Sequence, residues 1–219
     1  MGSSHFNACG WLGLALLTAS LAAGPGASAA EQGFALNRFE PAERDSEWFA
    51  LQSLDLRGHG RWAIGIVGDW SHRPLVLYDA QGREVQALLR DQLYAYVGGS
   101  VILWERLRVG ASFPLVLVSE GDAAQPGAPT LPVSSGTNVG DLRLSADVRV
   151  LGEHGGFINL ALGARVFVPT GSSSAMTGDG QLRVQPHALV AGRISSFEYA
   201  ARTGINVRSR SDFAGQQVG

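Results

Sequence analysis

From Asp141 to Leu151 hydrophobic and polar residues alternate: Leu142, Leu144, Ala146, Val148 and Val150 share one parity, and Asp141, Arg143, Ser145, Asp147 and Arg149 share the other. A period of two is a strand signature, because a helix returns to the same face only about every 3.6 residues. The alternation recurs along most of the chain. Ile158, Leu160, Leu162, Ala164, Val166 and Val168 oppose Asn159, Ala161, Gly163, Arg165 and Phe167. Leu182, Val184, Ala188, Val190 and Ile194 oppose Arg183, Gln185, His187 and Arg193, and Phe197, Tyr199, Ala201, Thr203, Ile205 and Val207 oppose Glu198, Ala200, Arg202, Gly204, Asn206 and Arg208. Upstream, Leu107, Val109, Ala111 and Phe113 oppose Arg106, Arg108 and Ser112. Leu89, Leu93, Ala95, Val97 and Val101 oppose Arg90, Gln92, Tyr94, Tyr96 and Ser100, with Asp91 the one charge on the apolar side. The pattern predicts an all-β, antiparallel fold with seven strands, at about 61–79, 83–103, 106–118, 139–151, 157–168, 181–194 and 196–208.

Any antiparallel sheet with one wet face alternates in this way, so a secreted, soluble β-sandwich that binds a ligand or partner is one reading. Three features favour a transmembrane β-barrel. The predicted strands run to 11 residues or more, whereas soluble strands average about five or six and tilted membrane strands need about 9 to 11. Short connections (103–105, 152–156, 195–196) take turns with long ones rich in Gly, Ser and Pro (119–138, 169–180 and from 209 onward), as periplasmic turns and extracellular loops do. Arginines and carboxylates also fill one face while the other stays small and aliphatic, which suits a hydrated lumen inside and lipid outside. Trp62 and Trp70 lie on the apolar parity eight residues apart, about 26 Å along a strand; they are the expected aromatic girdle. Arg73 to Val85 reads as strand, tight turn at Asp79 to Gly82, and strand.

Upstream of the strands, an apolar run over residues 11–23 is followed by Ala27-Ser28-Ala29, which predicts a signal peptide over 1–29. Residues 30–60 are expected to be a periplasmic lead-in, mostly solvated; a short helix, which could plug the lumen, and a periplasmic strand beneath the barrel are the alternatives. Seven strands fall short of the even count of single-chain bacterial barrels, so 61–219 is expected to be an incomplete barrel of which at least eight strands make the whole.

Composition narrows the chemistry. All 17 basic residues are arginine, so a Walker A loop, a Schiff base or a lysine base is excluded. Cys9 alone makes neither a disulfide framework nor a thiolate metal site. A net charge of −2 with 16% charged residues offers no surface for nucleic acid. No cofactor and no metal site is expected: His59, His72 and His154 show no ligand spacing, and Thr177-Gly178-Asp179-Gly180 reads as a turn before it reads as a calcium loop. Ser145, Asn159 and His187 share the polar parity, so an outer-membrane hydrolase is a further alternative, although no Gly-x-Ser-x-Gly elbow occurs. Asp141, Arg143, Asp147, Arg149, Arg165, Arg183, Arg193, Glu198, Arg202 and Arg208 are better explained as a lumen charge network that rigidifies the wall and sets an anion preference.

Four stretches carry a family resemblance: RPLVLYDAQGREV (73–85), VGDLRLSADVRVLGEHG (139–155), FVPTG (167–171) and TGDG (177–180). Together they resemble the amino-terminal barrel of OmpA-family outer-membrane proteins, and the Gly-Asp-Leu and Pro-Thr-Gly signatures are similar to those of transporter-like barrels. The resemblance implies a Gram-negative outer-membrane location, contact with outer-membrane lipid, passage of small solutes through a lumen or a structural role, and no catalytic activity. In that family a peptidoglycan-binding domain usually follows the barrel; none lies within these residues, so peptidoglycan contact is not carried over to any of them.

Overall fold

In a computed structural model, the structure describes residues 35–121, 136–172 and 175–208, with the backbone alone of 211–213 and 216–218. The expected signal peptide, the start of the lead-in and part of the 119–138 connection lie outside the described residues. Strands account for all the regular structure described: β1 (Arg61–Tyr78), β2 (Glu84–Leu103), β3 (Leu107–Glu120), β4 (Asn138–Val139), β5 (Leu142–Leu151), β6 (Asn159–Val168), β7 (Arg183–Ile194), β8 (Phe197–Gly204), β9 (Val207–Arg208), β10 (Ser211–Phe213) and β11 (Gln216–Val218). All seven strands expected from the alternation are present.

The strands form a curled antiparallel sheet in the order β1-β2-β3-β5-β6-β7-β8, with β4 added to β3 and β9 extending the partner of β7, while β10 and β11 pair separately. The sheet is a half-barrel. Every pairing along the path except β3 with β5, between which the two-residue β4 intervenes, joins strands consecutive in the chain. Six antiparallel steps leave β1 and β8 running in the same direction, and among the described residues these two edges are not paired with each other.

At one end the connections are tight. Trp104 and Glu105 both adopt positive φ (51° and 57°) between β2 and β3, the geometry whose twist matches that of the flanking strands. The β7–β8 turn places Ser195 at φ 54°. At the other end Asp79 closes the β1–β2 hairpin, its Oδ1 accepting the backbone N–H groups of Gln81 and Arg83 at 2.9 Å each, with Gly82 at φ 76°. Asp91, the exception to the alternation, sits at that end, where register shifts interrupt the β1–β2 ladder. Its carboxylate lies 2.8 Å from His72 Nδ1, and Arg90 joins the cluster.

The two faces of the sheet are inverted relative to an ordinary water-soluble one. The exposed side presents Trp62, Ile64, Ile66 and Trp70 on β1, Val97 on β2, Val109 on β3, Leu144, Val148 and Val150 on β5, Leu162 on β6, and Phe197 on β8. Along the regular ladders, over 62–70, 93–103, 107–117, 142–150, 160–168, 184–194 and 197–203, no outward position holds a charge. The buried side holds Arg108, Arg143, Asp147 and Arg165, each at most 4% exposed.

Residues 35–57 correct the expectation for 30–60. The described part is neither a solvated lead-in nor a helix; it is an irregular strap laid against the buried face of the sheet. Pro41, Ala42 and Glu43 are buried, as are Gln52 to Leu56. The reason is charge and shape together: a face rich in buried guanidinium groups needs carboxylates and apolar cover, and the strap supplies both.

Candidate functional site

The strap and the arginine-bearing face form one continuous site. Along it, acidic side chains meet successive strands. Glu40 accepts from Arg165 Nη1 at 2.8 Å on β6, and reaches Arg183 on β7 and Arg202 on β8 at 3.5 Å each. Arg143 on β5 donates from Nη1 to the Pro41 carbonyl at 2.7 Å, and its Nη2 stands 3.2 Å from Glu43 Oε1. Asp45 accepts from Ser100 Oγ on β2 at 2.7 Å and from Arg108 Nη1 on β3 at 3.4 Å. Arg108 also donates from Nη2 to Asp147 at 2.8 Å, and the other Asp147 oxygen lies 2.7 Å from His187 Nε2.

Two glycines make room for this arrangement. A Cβ on Gly110 would overlap the Glu43 carboxylate and lie 2.7 Å from Ser145 Oγ; one on Gly163 would overlap Asp147 and lie 2.8 Å from His187 Nε2. Apolar anchors hold the strap between the ion pairs. Phe39 stacks on Phe49 at 5.4 Å and meets Tyr96 edge-on at 5.8 Å, and Leu54 packs with Ala161, Leu189 and Ala191. Leu54 takes this place at φ 55° and offers its carbonyl to Asn159 Nδ2 at 3.2 Å.

At the tight-turn end the strap terminates on Asp55. Arg57 donates to it from Nε at 2.8 Å and Arg61 from Nη1 at 3.0 Å. Burial alone would push the Asp55 carboxyl up, but the hydrogen bonds from both arginines outweigh it and hold the group well below the usual carboxylate range. Glu47, Asp55 and His154 bring donor atoms within 4.8 Å of one another, a grouping that the scattered histidines of the sequence do not reveal. Two guanidinium groups already occupy Asp55, however, and a cation there would have to displace them.

The expected ten-residue network divides. Arg143, Arg165, Arg183 and Arg202 meet the strap, and Asp147 is linked to it through Arg108. Asp141 is close by but meets backbone: it accepts the N–H of Gly171 at 3.0 Å and of Asp179 at 2.8 Å. Arg149 lies at the tight-turn end and donates to the Glu105 carbonyl. Arg193 and Glu198 pair with each other on the exposed rim, and Arg208 lies at the opposite mouth beside Arg38 and Arg183. Asp179, in the stretch weighed as a calcium loop, is instead taken up by Arg38 Nη1 at 3.1 Å and Arg183 Nε at 3.4 Å. Ser145 and His187 are not hydrogen-bonded to each other: His187 Nε2 is engaged by Asp147, and Ser145 Oγ has no hydrogen-bond partner among the described residues.

Sequence reasoning missed the strap's carboxylates, Glu40, Glu43, Asp45 and Asp55, and the basic partner Arg108. It also missed exposed aromatics that share the tight-turn end with Trp62, namely Trp104, Phe157 and Phe197. The ten-residue set itself contained the signal, since its seven arginines face only three carboxylates, and the acid-rich stretch 40–47 is where the balance lies. No protein-family model matches the chain, and no curated protein matches it.

Proposed function

We propose that the chain is an outer-membrane β-barrel protein with a structural role and no catalytic activity, its buried face filled by its own amino-terminal strap. The single observation that carries the reading is the inverted polarity of the sheet: an apolar outer side without charge over the regular ladders, and a buried side of guanidinium and carboxylate groups. A soluble sandwich would lose free energy by leaving that many aliphatic and aromatic side chains in water. In a bilayer the same surface faces hydrocarbon, where charge is costly and apolar side chains are not.

The exposed aromatics Trp62 and Trp70 fit the two interfacial levels, with Trp104, Phe157 and Phe197 reinforcing the level at the tight turns. Under this reading the tight turns are periplasmic, and the resemblance to OmpA-family barrels is a family-level proposal of the same kind. The strap supports a filled wall over a conduit: Glu40, Glu43 and Asp45 are seated on the arginines, as polar side chains fill the interior of small barrels.

Refolding the full chain tests the proposal. In detergent micelles or lipid vesicles it is expected to give a folded form that runs at a different gel mobility before and after heating, with its strands protected from protease. A folded, monodisperse chain in detergent-free buffer would overturn the membrane reading.

A further inference from the structure

Between the strap and the wall, toward the long-loop end, lies a cavity of about 50 Å³ bordered by Phe39, Tyr94, Tyr96, Ser112, Arg143 and Phe167. By volume it holds roughly four water-sized groups. One side of it is aromatic, and Arg183, also on the border, places its guanidinium carbon 3.7 Å over the Phe167 ring.

The polar side has donors to spare. Arg143 is 4% exposed; its Nη1 is satisfied by Pro41, but Nε and Nη2 have no hydrogen-bond partner among the described residues, the Glu43 oxygen at 3.2 Å being an ion-pair neighbour only. Ser112, also 4% exposed, has an unpartnered Oγ. The two carboxylates on the border are committed elsewhere: Glu40 to three arginines, and Asp141 to two backbone N–H groups. A buried site with excess donors, one of them a guanidinium, is complementary to an anion, since a buried donor left unpaired keeps its full desolvation penalty, and a guanidinium matches a carboxylate in plane and spacing.

We infer that this cavity binds a small monocarboxylate of the size of acetate or propionate. Its carboxylate accepts from Arg143 and Ser112, and its short alkyl end lies against Tyr94, Tyr96 and Phe39. The aromatic wall selects a carboxylate over an inorganic oxyanion, because phosphate would leave hydrogen-bonding oxygens against the rings. The inference rests on the strap's seating and not on the membrane reading, so it is tested in whichever medium the full chain folds.

The test is a titration of the full chain with acetate, propionate, phosphate and chloride at matched ionic strength, following the unfolding temperature and the carboxylate resonance of ¹³C-labelled acetate. Acetate and propionate are expected to raise the unfolding temperature saturably, and phosphate and chloride are not. Arg143→Gln is expected to abolish the effect. Ser112→Ala, which removes only the hydroxyl, leaves the ion pairs in place and guards against a folding defect in the arginine variant, is expected to weaken acetate binding about tenfold, the loss of one hydrogen bond to a charged group. Equal behaviour of acetate and chloride would mean that the cavity holds only water and would overturn the inference. Phosphate acting as well as acetate would overturn the carboxylate assignment, and unchanged affinity in Ser112→Ala would overturn the geometry.

Discussion

Asp147 is the residue on which the buried network turns. Its two oxygens serve Arg108 and His187, it is fully buried, and Gly163 is opposite because no side chain fits there. Replacing Asp147 by Ala leaves the Arg108 guanidinium with Asp45 alone, and removing one partner of a buried pair typically costs about 3–5 kcal/mol. The expected outcome is a large drop in the denaturant midpoint of the refolded chain with an unchanged slope. Asp55 gives the network a pH dependence of known sign. Its carboxyl is depressed in the folded chain, so its contribution is complete above the ordinary carboxylate range, near pH 4, and is lost as pH falls toward the folded value. Stability is therefore expected to decline with acidification below about pH 4, and less steeply in Asp55→Asn; acid titration of the unfolding temperature in the two chains checks this. Arg143, Arg165, Arg183 and Arg202 were legible from the sequence because parity alone assigned them to one face, which Arg108 shares although the expected network omits it. The carboxylates were not, since the strap that carries them has no period: its backbone follows the packing of Phe39 and Leu54 instead of a ladder. Nor could parity separate Arg143, deep under the strap, from Arg193, which shares its face but pairs with Glu198 on the rim.

Among the elements, the long strands were the most legible, because ten or more alternating residues fix register and face at once. Turns were less so. Asp79-Ala80-Gln81-Gly82 announces itself by composition, but the β2–β3 turn places Trp104 and Glu105 at positive φ without a glycine or asparagine. A left-handed non-glycine residue costs about 1–2 kcal/mol, here tolerated because Arg149 and His59 tie the turn down through the Glu105 carbonyl and the Trp104 N–H. Glu105→Gly relieves that strain while giving up some unfolded-state restriction, and the net expectation is a stabilisation of up to about 1 kcal/mol, read as a slower unfolding rate. The strap is the opposite case: a segment expected to be solvated because termini are often loosely tied is buried against the charged face of the sheet. Its place was decided by the half-barrel, and no window of its own residues contained that information.

For the molecule as a whole, the open question of polarity reduces to what lies against the outer side of the sheet, and one residue decides it. Ile66 stands midway between Trp62 and Trp70 on β1 and is 69% exposed, so arginine there meets little protein. If water covers that surface, Ile66→Arg is an ordinary exposed substitution, expected to change stability by no more than about 0.5 kcal/mol. If hydrocarbon covers it, the charge sits near the middle of the bilayer at a cost of about 2–4 kcal/mol, falling to about 0–1 toward the interfaces. Tyr78, exposed at the long-loop end of the same strand, lies outside the span between the tryptophans, and Tyr78→Arg is expected to be nearly neutral under either reading. Measured by reversible unfolding from lipid vesicles, the membrane assignment requires the first substitution to be destabilising by at least about 2 kcal/mol relative to the second. Equal, small effects would place the apolar side of this half-barrel in water and return the chain to the class of soluble β-proteins.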